Sequence, residues 1–409
     1  MRIVNCNIYT PVGSHAVKGA DMGVLRHIPY GEIEITGGII SYVGKCRNKE
    51  IADTDIDAEG RAVLPGFVDS HTHLIFGGYR PDEFMWRMRG DSYMSIMERG
   101  GGIANTMKAT REASADELEK KALKYIKRMS RMGVTTVEAK SGYGLDKDTE
   151  IRQLEVLDRI QHSHPKIIDV VTTYLGCHAL PPEYKGEHDK YIQWMIDEML
   201  PYIKERRLAD ICDIFCEKGV FTIDQSRRLL NAAKKMGYGV KIHADEIVTT
   251  GGAELAAELG ALSADHLLHI SDKGITDLAA SDTVATLLPL TAFTLREPYA
   301  PGRKMIDAGC AVALATDLNP GSCLSGSIPL TFALACIYMK FTVEEAITAL
   351  TLNGAAALNM SDAIGSIEEG KKGDIVILDS DNINVLPYYT GMNSVYTTIK
   401  AGKVVSINE

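Results

Sequence analysis

Two histidines one residue apart, His71 and His73 in DSHTHLIFGGYR, close an apolar run and lead into a glycine pair and an arginine. Alternate residues of a β-strand face the same way, so this spacing aims both imidazoles at one point. A metal ion requires that convergence, whereas a packed and hydrogen-bonded core histidine does not. Taken alone, the pair leaves both readings open. Further along, His178 follows IDVVTTYLG, His243 and Glu246 close GVKIHADE, His266 lies in SADHLLH, and Asp317 closes AVALATD. His71, His73, His243 and Asp317 together offer three nitrogens and one carboxylate oxygen. That donor set suits one catalytic metal ion per chain, divalent or trivalent, zinc or iron, with a position left for water.

Such side chains meet only if a scaffold gathers several strand ends. From about residue 63 to 363 short β-rich runs alternate with helical stretches, and eight runs are legible: VLPGFVDSH, VTTVEAK, IDVVTTYLG, ADICDIFC, GVKIHADE, SADHLLH, VATLLPL and AVALATD. Eight is the number that closes an α/β (β/α)8 TIM barrel, whose chemistry sits at the C-terminal ends of the strands. Five of the eight runs carry a histidine or an acid at that end. Helix starts are marked by Ser114 with Glu117, Thr222 with Gln225, and Thr342 with Glu345, each at capping-box spacing. The two ends of the chain read differently. RIVNCNIYT, GEIEITGGIISYVG and RAVLP near the start, and SIEEGKKGDIVILD and SVYTTIKAGKVVSINE near the end, are short strands with glycine turns. They are expected to pair as a small antiparallel β-sandwich domain of residues 1–62 and 364–409, beside a barrel domain of residues 63–363.

Composition narrows the function classes. With 409 residues, 45 % hydrophobic and 24 % charged, the chain reads as a soluble globular protein with no apolar tract long enough for a bilayer. Its start, MRIVNCNIYTPVG, lacks the basic end and apolar segment of a secretory signal, so a cytoplasmic location with reduced cysteines is expected. A formal charge of -10 without a basic stripe argues against a nucleic-acid partner, and no membrane partner is expected. Of the eight cysteines only Cys212 and Cys216 approach a cluster, and on a strand they lie too far apart to share an ion. They read as small buried hydrophobes.

PGFVDSHTH, His243 in HADE and Asp317 in TDLNPGS resemble the amidohydrolase superfamily. A wider set, HLIFGGYRPDEF, MERGGGI, EAKSGYGL, YLGCHALPPEY, KIHADE and TDLNPGS, resembles the imidazolonepropionase family over nearly the whole chain. The resemblance implies hydrolysis of the ring lactam of 4-imidazolone-5-propanoate to N-formimidoyl-L-glutamate, the third step of histidine degradation, by a homodimer. It implies metal ligation by His71, His73, His243 and Asp317, and catalytic roles for Asp317 as proton acceptor, His266 at the carbonyl oxygen and Glu246 as proton carrier. Arg80, Tyr143, His178, Glu246, Asn319, Gly321 and Ser322 are implied to bind substrate.

Residue types alone leave plainer alternatives open. Glu246 reads equally as a surface carboxylate, His266 as a core histidine with His269 no less eligible, Arg80 as a solvated arginine, and NPGS as an ordinary turn. A binuclear site would want a bridging lysine near Cys216-Glu217-Lys218, where no clear signal stands; one metal is expected. Two rivals remain: an aminohydrolase of cytosine or guanine, against which Arg80 with Tyr143 argues, and a non-catalytic scaffold, which would not need the full donor set.

Overall fold

The computed structural model of the chain describes residues 1–48, 50–91, 101–163 and 166–408. Residues 97–100 of the MERGGGI motif lie outside the described residues. The run VLPGFVDSH, read above as one strand, is two. Ala62–Pro65 belongs to a sheet built by the chain's ends, and Phe67–Asp69 opens the barrel. Gly66 stands at the change of sheet, where a Cβ would lie 2.2 Å from Thr135 Oγ1, so a larger residue would force the two strands apart.

Eight barrel strands follow in chain order: Phe67–Asp69, Val134–Lys140, Asp169–Cys177, Ile211–Cys216, Gly239–Ala244, Ser263–His266, Val284–Leu287 and Val312–Leu314. Each pairs in parallel with the next. Parallel neighbours need crossovers, which put helices over the outer face and bury the strands on both sides. All seven residues of Val134–Lys140 are accordingly buried. The barrel closes through backbone bonds from Asp317 N–H to His71 O at 3.0 Å and from His73 N–H to Leu318 O at 2.9 Å. Asp69 strengthens this seam by accepting from Thr316 N–H at 2.9 Å and from its hydroxyl at 2.6 Å.

The three capping boxes form as the sequence predicts, at the starts of helices Ala115–Arg131, Ile223–Lys235 and Val343–Leu350. The last is shorter than its apolar pattern suggests. Thr351, at φ -126° and ψ -91°, breaks it, and Leu352–Ala356 continues as a separate helix. Among the described residues no helix is long and apolar enough to cross a membrane.

The ends of the chain share one sheet because Ala62–Pro65 pairs antiparallel with Ile375–Leu378. This sheet is mixed, not wholly antiparallel as expected, since Arg2–Thr10 runs parallel to both Ile56–Asp57 and Ala62–Pro65. Its strands alternate between two cores. Ile3, Ile8, Ile33, Val63, Ile375, Ile377 and Ile399 pack on one another, whereas Leu64, Val376, Leu378 and Val395 join the core of the barrel. Ile35, far along the sheet, meets Gly373 and Gly402 and so folds it over its own apolar face.

Polar contacts tie the two units as well. Lys400 Nζ, 3 % exposed as a side chain, sits 2.6 Å from Asp374 Oδ2 and 2.6 Å from Asp169 Oδ2 at the start of the third barrel strand. Lys372 and Lys166 reach the same Asp169 at 2.8 Å. Burial works against the Asp169 charge, but the three lysines hold its pKa below the usual carboxylate range. Replacing Lys400→Met should therefore lower stability by about 3 kcal/mol, the scale for stripping one partner from a buried pair. A depressed carboxylate pKa stabilises above its unfolded value and loses that contribution as pH falls, so the gap between parent and variant should narrow below about pH 4. Urea unfolding followed by circular dichroism across pH checks both.

Candidate metal centre and active site

His71 and His73 follow the first barrel strand, His243 lies in the fifth, His266 ends the sixth, and Asp317 stands just past the eighth. All five are buried, none more than 3 % exposed. His71 Nε2 lies 3.6 Å and His73 Nε2 3.5 Å from Asp317 Oδ1, and His243 Nε2 lies 3.4 Å from His73 Nε2. Donors about 2.1 Å from one ion in tetrahedral array sit about 3.4 Å apart, so these separations fit a metal of zinc or iron size. His71 Nε2 and Asp317 Oδ1 have no hydrogen-bond partner although both are buried, which leaves lone pairs directed at the same point. His266 also comes within 4.8 Å of His71 and His243 through its ring nitrogens. Two of these residues hold left-handed backbone, His266 at φ 80° and Asp317 at φ 52°, strain that must be offset by the packing around them.

Beneath the histidines lies a layer of charge that the sequence reading did not pick out. Glu138 and Lys140 on the second strand, Asp213 on the fourth, Lys241 on the fifth and Asp265 on the sixth point inward with fully buried side chains. Lys140 Nζ lies 2.9 Å from Glu138, 2.8 Å from Asp213 and 3.7 Å from Asp265. Lys241 Nζ lies 2.9 Å from Glu138 and 3.3 Å from Asp265, and donates to Ser70 O at 2.7 Å. Burial alone would drive Lys140 toward neutrality, but Asp213, Glu138 and Asp265 together hold its pKa above the ordinary value. The acids in turn face the metal donors. Asp265 Oδ2 is 2.6 Å from His71 Nδ1, and Asp213 Oδ2 is 2.9 Å from His243 Nδ1, off the line of a good hydrogen bond. With Nδ1–H turned to an acid below, each ring presents Nε2 to the mouth. The sequence signal lies in the charged residues inside four of the expected barrel strands, Glu138 with Lys140, Asp213, Lys241 and Asp265. Thr291, whose hydroxyl donates to Asp317 Oδ2 at 2.6 Å, carried no such signal.

Above the donors, Glu246 Oε1 lies 3.6 Å from His266 Nδ1. Burial, with Asp317 and Glu217 nearby, pushes the Glu246 carboxyl up to about 8, and burial raises Asp317 to about 6. Burial keeps His266 well below its usual pKa, so its neutral ring carries one N–H. Arg80 is not a solvated loop arginine. Its side chain is 11 % exposed, Nη1 lies 3.5 Å from Glu83, and Nη2 occupies the place a Cβ on Gly321 would take, 1.9 Å away. Tyr143 and His178 complete this side: their rings lie 5.1 Å apart and stand 5.7 and 4.8 Å from the His73 ring. The Arg80 charge reaches both of them. NPGS is more than a turn. Asn319 Oδ1 accepts from Gly321 N–H and Ser322 N–H at 2.8 Å each, and Asn319 Nδ2 donates to Asp317 O at 2.8 Å and Ser322 Oγ at 2.9 Å. The Asn319 amide is thus engaged within its own loop, beside the metal carboxylate.

Other sequence candidates lie elsewhere. Lys218 is exposed. Cys212 and Cys216 belong to the outer core of the barrel, on the face opposite Asp213 and Phe215. His269 is half-buried; its N–H donates to Asp245 O and its carbonyl accepts from Thr249, outside the donor cluster.

Known proteins share both the sequence and the fold. Two models described as amidohydrolase family match residues 214–405 and 55–111. The chain is 65 % identical to an imidazolonepropionase of Phocaeicola vulgatus over 99 % of both chains. It is 52 % identical to one of Clostridium tetani, over 97 % of this chain and 96 % of that one. Among solved structures, 5-methylcytosine deaminase of Klebsiella pneumoniae superposes with a TM-score of 0.76 at 19 % identity, covering 100 % of this chain and 98 % of that one. Guanine deaminase of C. acetobutylicum gives 0.73 at 16 %, covering 98 % and 99 %.

The support beneath the histidines should be measurable in metal retention. Asp265→Asn keeps the side-chain shape but weakens the hold on His71 Nδ1, and metal affinity should fall about 10- to 100-fold. His243→Ala, which deletes a donor, should bring metal content well below the parent's. Competition with a chelator, followed by elemental analysis, checks both.

Proposed function

The chain belongs to the imidazolonepropionase family of the amidohydrolases, and on that footing we propose that it opens the ring lactam of 4-imidazolone-5-propanoate, giving N-formimidoyl-L-glutamate in the third step of histidine degradation. The observation that carries this reading is the convergence of His71, His73 and Asp317 at the barrel mouth, with His243 Nε2 3.4 Å from His73 Nε2, beside a largely enclosed guanidinium seated against Gly321, a candidate metal site next to an anion fork. His71, His73, His243 and Asp317 hold one ion, zinc or iron, divalent or trivalent. When bound, it supplies a lowered pKa for a water and polarisation of the substrate carbonyl.

The chain's own groups do the rest. Asp317 accepts a proton from the attacking water, while Thr291 fixes its other oxygen. His266 donates its single N–H to the oxygen that gains charge as the carbonyl becomes tetrahedral. Glu246, whose carboxyl is pushed up by desolvation and by the nearby Asp317, gives its proton to the ring nitrogen as the C–N bond breaks. Arg80 binds the propanoate in bidentate fashion, Tyr143 and His178 hold the ring, and Asn319, Gly321 and Ser322 shape the wall between Arg80 and Asp317. The domains divide at residues 1–65 with 364–409, and 66–363, three residues later than the boundary expected at 62/63, because Ala62–Pro65 pairs within the terminal sheet. The reading includes a cytoplasmic homodimer with no nucleic-acid or membrane partner.

Purified protein incubated with imidazolone propanoate, and separately with cytosine and guanine, tests the reading through ring absorbance and ammonia release. Loss of the imidazolone absorbance is expected, with no ammonia from either base. Glu246→Gln should keep the metal and lose about 100-fold or more in kcat. Arg80→Met should lose about one to two decades in kcat/KM on the full substrate, while on an imidazolone lacking the propanoate it should match the parent. Equal losses on both substrates would return Arg80 to a structural role.

A further inference from the structure

Glu150 lies in the first turn of helix Lys147–His162, and its side chain is fully buried. Backbone amides surround it. Gly142 N–H donates to Oε2 at 3.0 Å, and Gly144 N–H and Leu145 N–H donate to Oε1 at 2.8 and 2.9 Å. Residues 141–145, the loop after the second barrel strand, are therefore wrapped around one carboxylate. Leu145 at φ 57° takes left-handed backbone that a leucine rarely holds unless it is anchored, and Gly142 at φ 110° is a conformation open to glycine. There is little room for another path, since a Cβ on Gly142 would lie 2.6 Å from Leu175 O.

The same loop carries Tyr143 and reaches His178. Tyr143 is 2 % exposed, between the anchored residues Gly142 and Gly144. Gly142 O lies 3.0 Å from His178 Nδ1 and accepts its N–H, so the other ring nitrogen, Nε2, is left as an acceptor. One carboxylate thus governs a phenol and an imidazole that come from the ends of two different strands.

We propose that Glu150 is a positioning residue for substrate recognition: by gathering three amides of residues 142–145 it sets the place of Tyr143 and, through Gly142 O, the orientation of the His178 ring. This rests on the reading of Tyr143 and His178 as contacts to the substrate ring. Glu150 touches no reacting atom, and the metal donors hang from other strands, His71 and His243 over their own acids. Its loss acts on binding and leaves the metal in place.

Glu150→Gln has the same shape but replaces one acceptor oxygen with an NH2 that faces an amide N–H. At least one of the three anchors is lost, and the expected result is a KM raised about tenfold, with kcat within about threefold and metal content unchanged. A purely structural role would not reproduce the next result. In a Tyr143→Phe background the effect of Glu150→Gln on KM should shrink below about threefold, because groups acting as one unit are not additive. Unchanged KM in the single variant, or full additivity in the double, overturns the proposal, as does loss of metal. If Glu150→Gln does not fold, Glu150→Asp, which keeps the charge and withdraws it by one methylene, decides by the same split of KM from kcat. A parent that left the imidazolone intact would sink the proposed function instead, before any variant was made.

Discussion

A carboxylate or an ammonium cut off from water is tolerated only beside its opposite, and the floor of this barrel buries five such groups together. Glu138, Asp213 and Asp265 enclose the ammoniums of Lys140 and Lys241, and none of the five side chains is exposed. Each charge is matched only while four strands hold their register, so a slip of one residue would strand an ion in the core. The cluster therefore reports correct assembly of the barrel. It also orders what lies above it. Asp265 and Asp213 face His71 and His243 from below, which favours Nδ1 turned down to the acids and Nε2 turned to the mouth.

Four of the loops at the mouth are gathered around a side-chain acceptor of their own or of a neighbouring loop. Glu150 gathers residues 142–145 and Asn319 gathers 321–322. Asp245 accepts from Thr250, Gly251 and Ala253, at the start of helix Gly252–Leu259. Glu217 takes Ile247 N–H at 2.8 Å, and Glu83 takes Gly102 N–H at 2.9 Å. Loops are ordinarily the mobile part of a barrel. Here a carboxylate, or in one loop the Asn319 amide, ties backbone N–H groups that would otherwise need water, so the side chains around the candidate metal site are held in place.

Much of this was legible in the sequence because period and spacing carry it. H-x-H pointed to convergence although both histidines fall just past the strand, the alternation of β and helical runs marked eight barrel strands, and Ser114, Thr222 and Thr342 marked real helix starts. What escaped depends on contacts remote in sequence. Gly66 splits one apolar run between two sheets, for a reason that lies in Thr135. Thr291 meets Asp317 across 26 residues, and Asp69 meets Thr316 across 247. Lys140 and Lys241 looked like ordinary charges until their partners on neighbouring strands were known. Arg80 needed Gly321 beside it before its burial made sense.

The central claim is that the charged floor aims the imidazoles of His71 and His243 at the point where His73 and Asp317 also converge. Anomalous scattering from a crystal of the metal-loaded protein, measured above and below the absorption edges of zinc and iron, tests this most directly. The account predicts one strong peak per chain, within about 2.3 Å of His71 Nε2, His73 Nε2, His243 Nε2 and Asp317 Oδ1. A peak bonded to Nδ1 of His71 or His243, a second peak among Glu138, Asp213 and Asp265, or no peak at the mouth would contradict it.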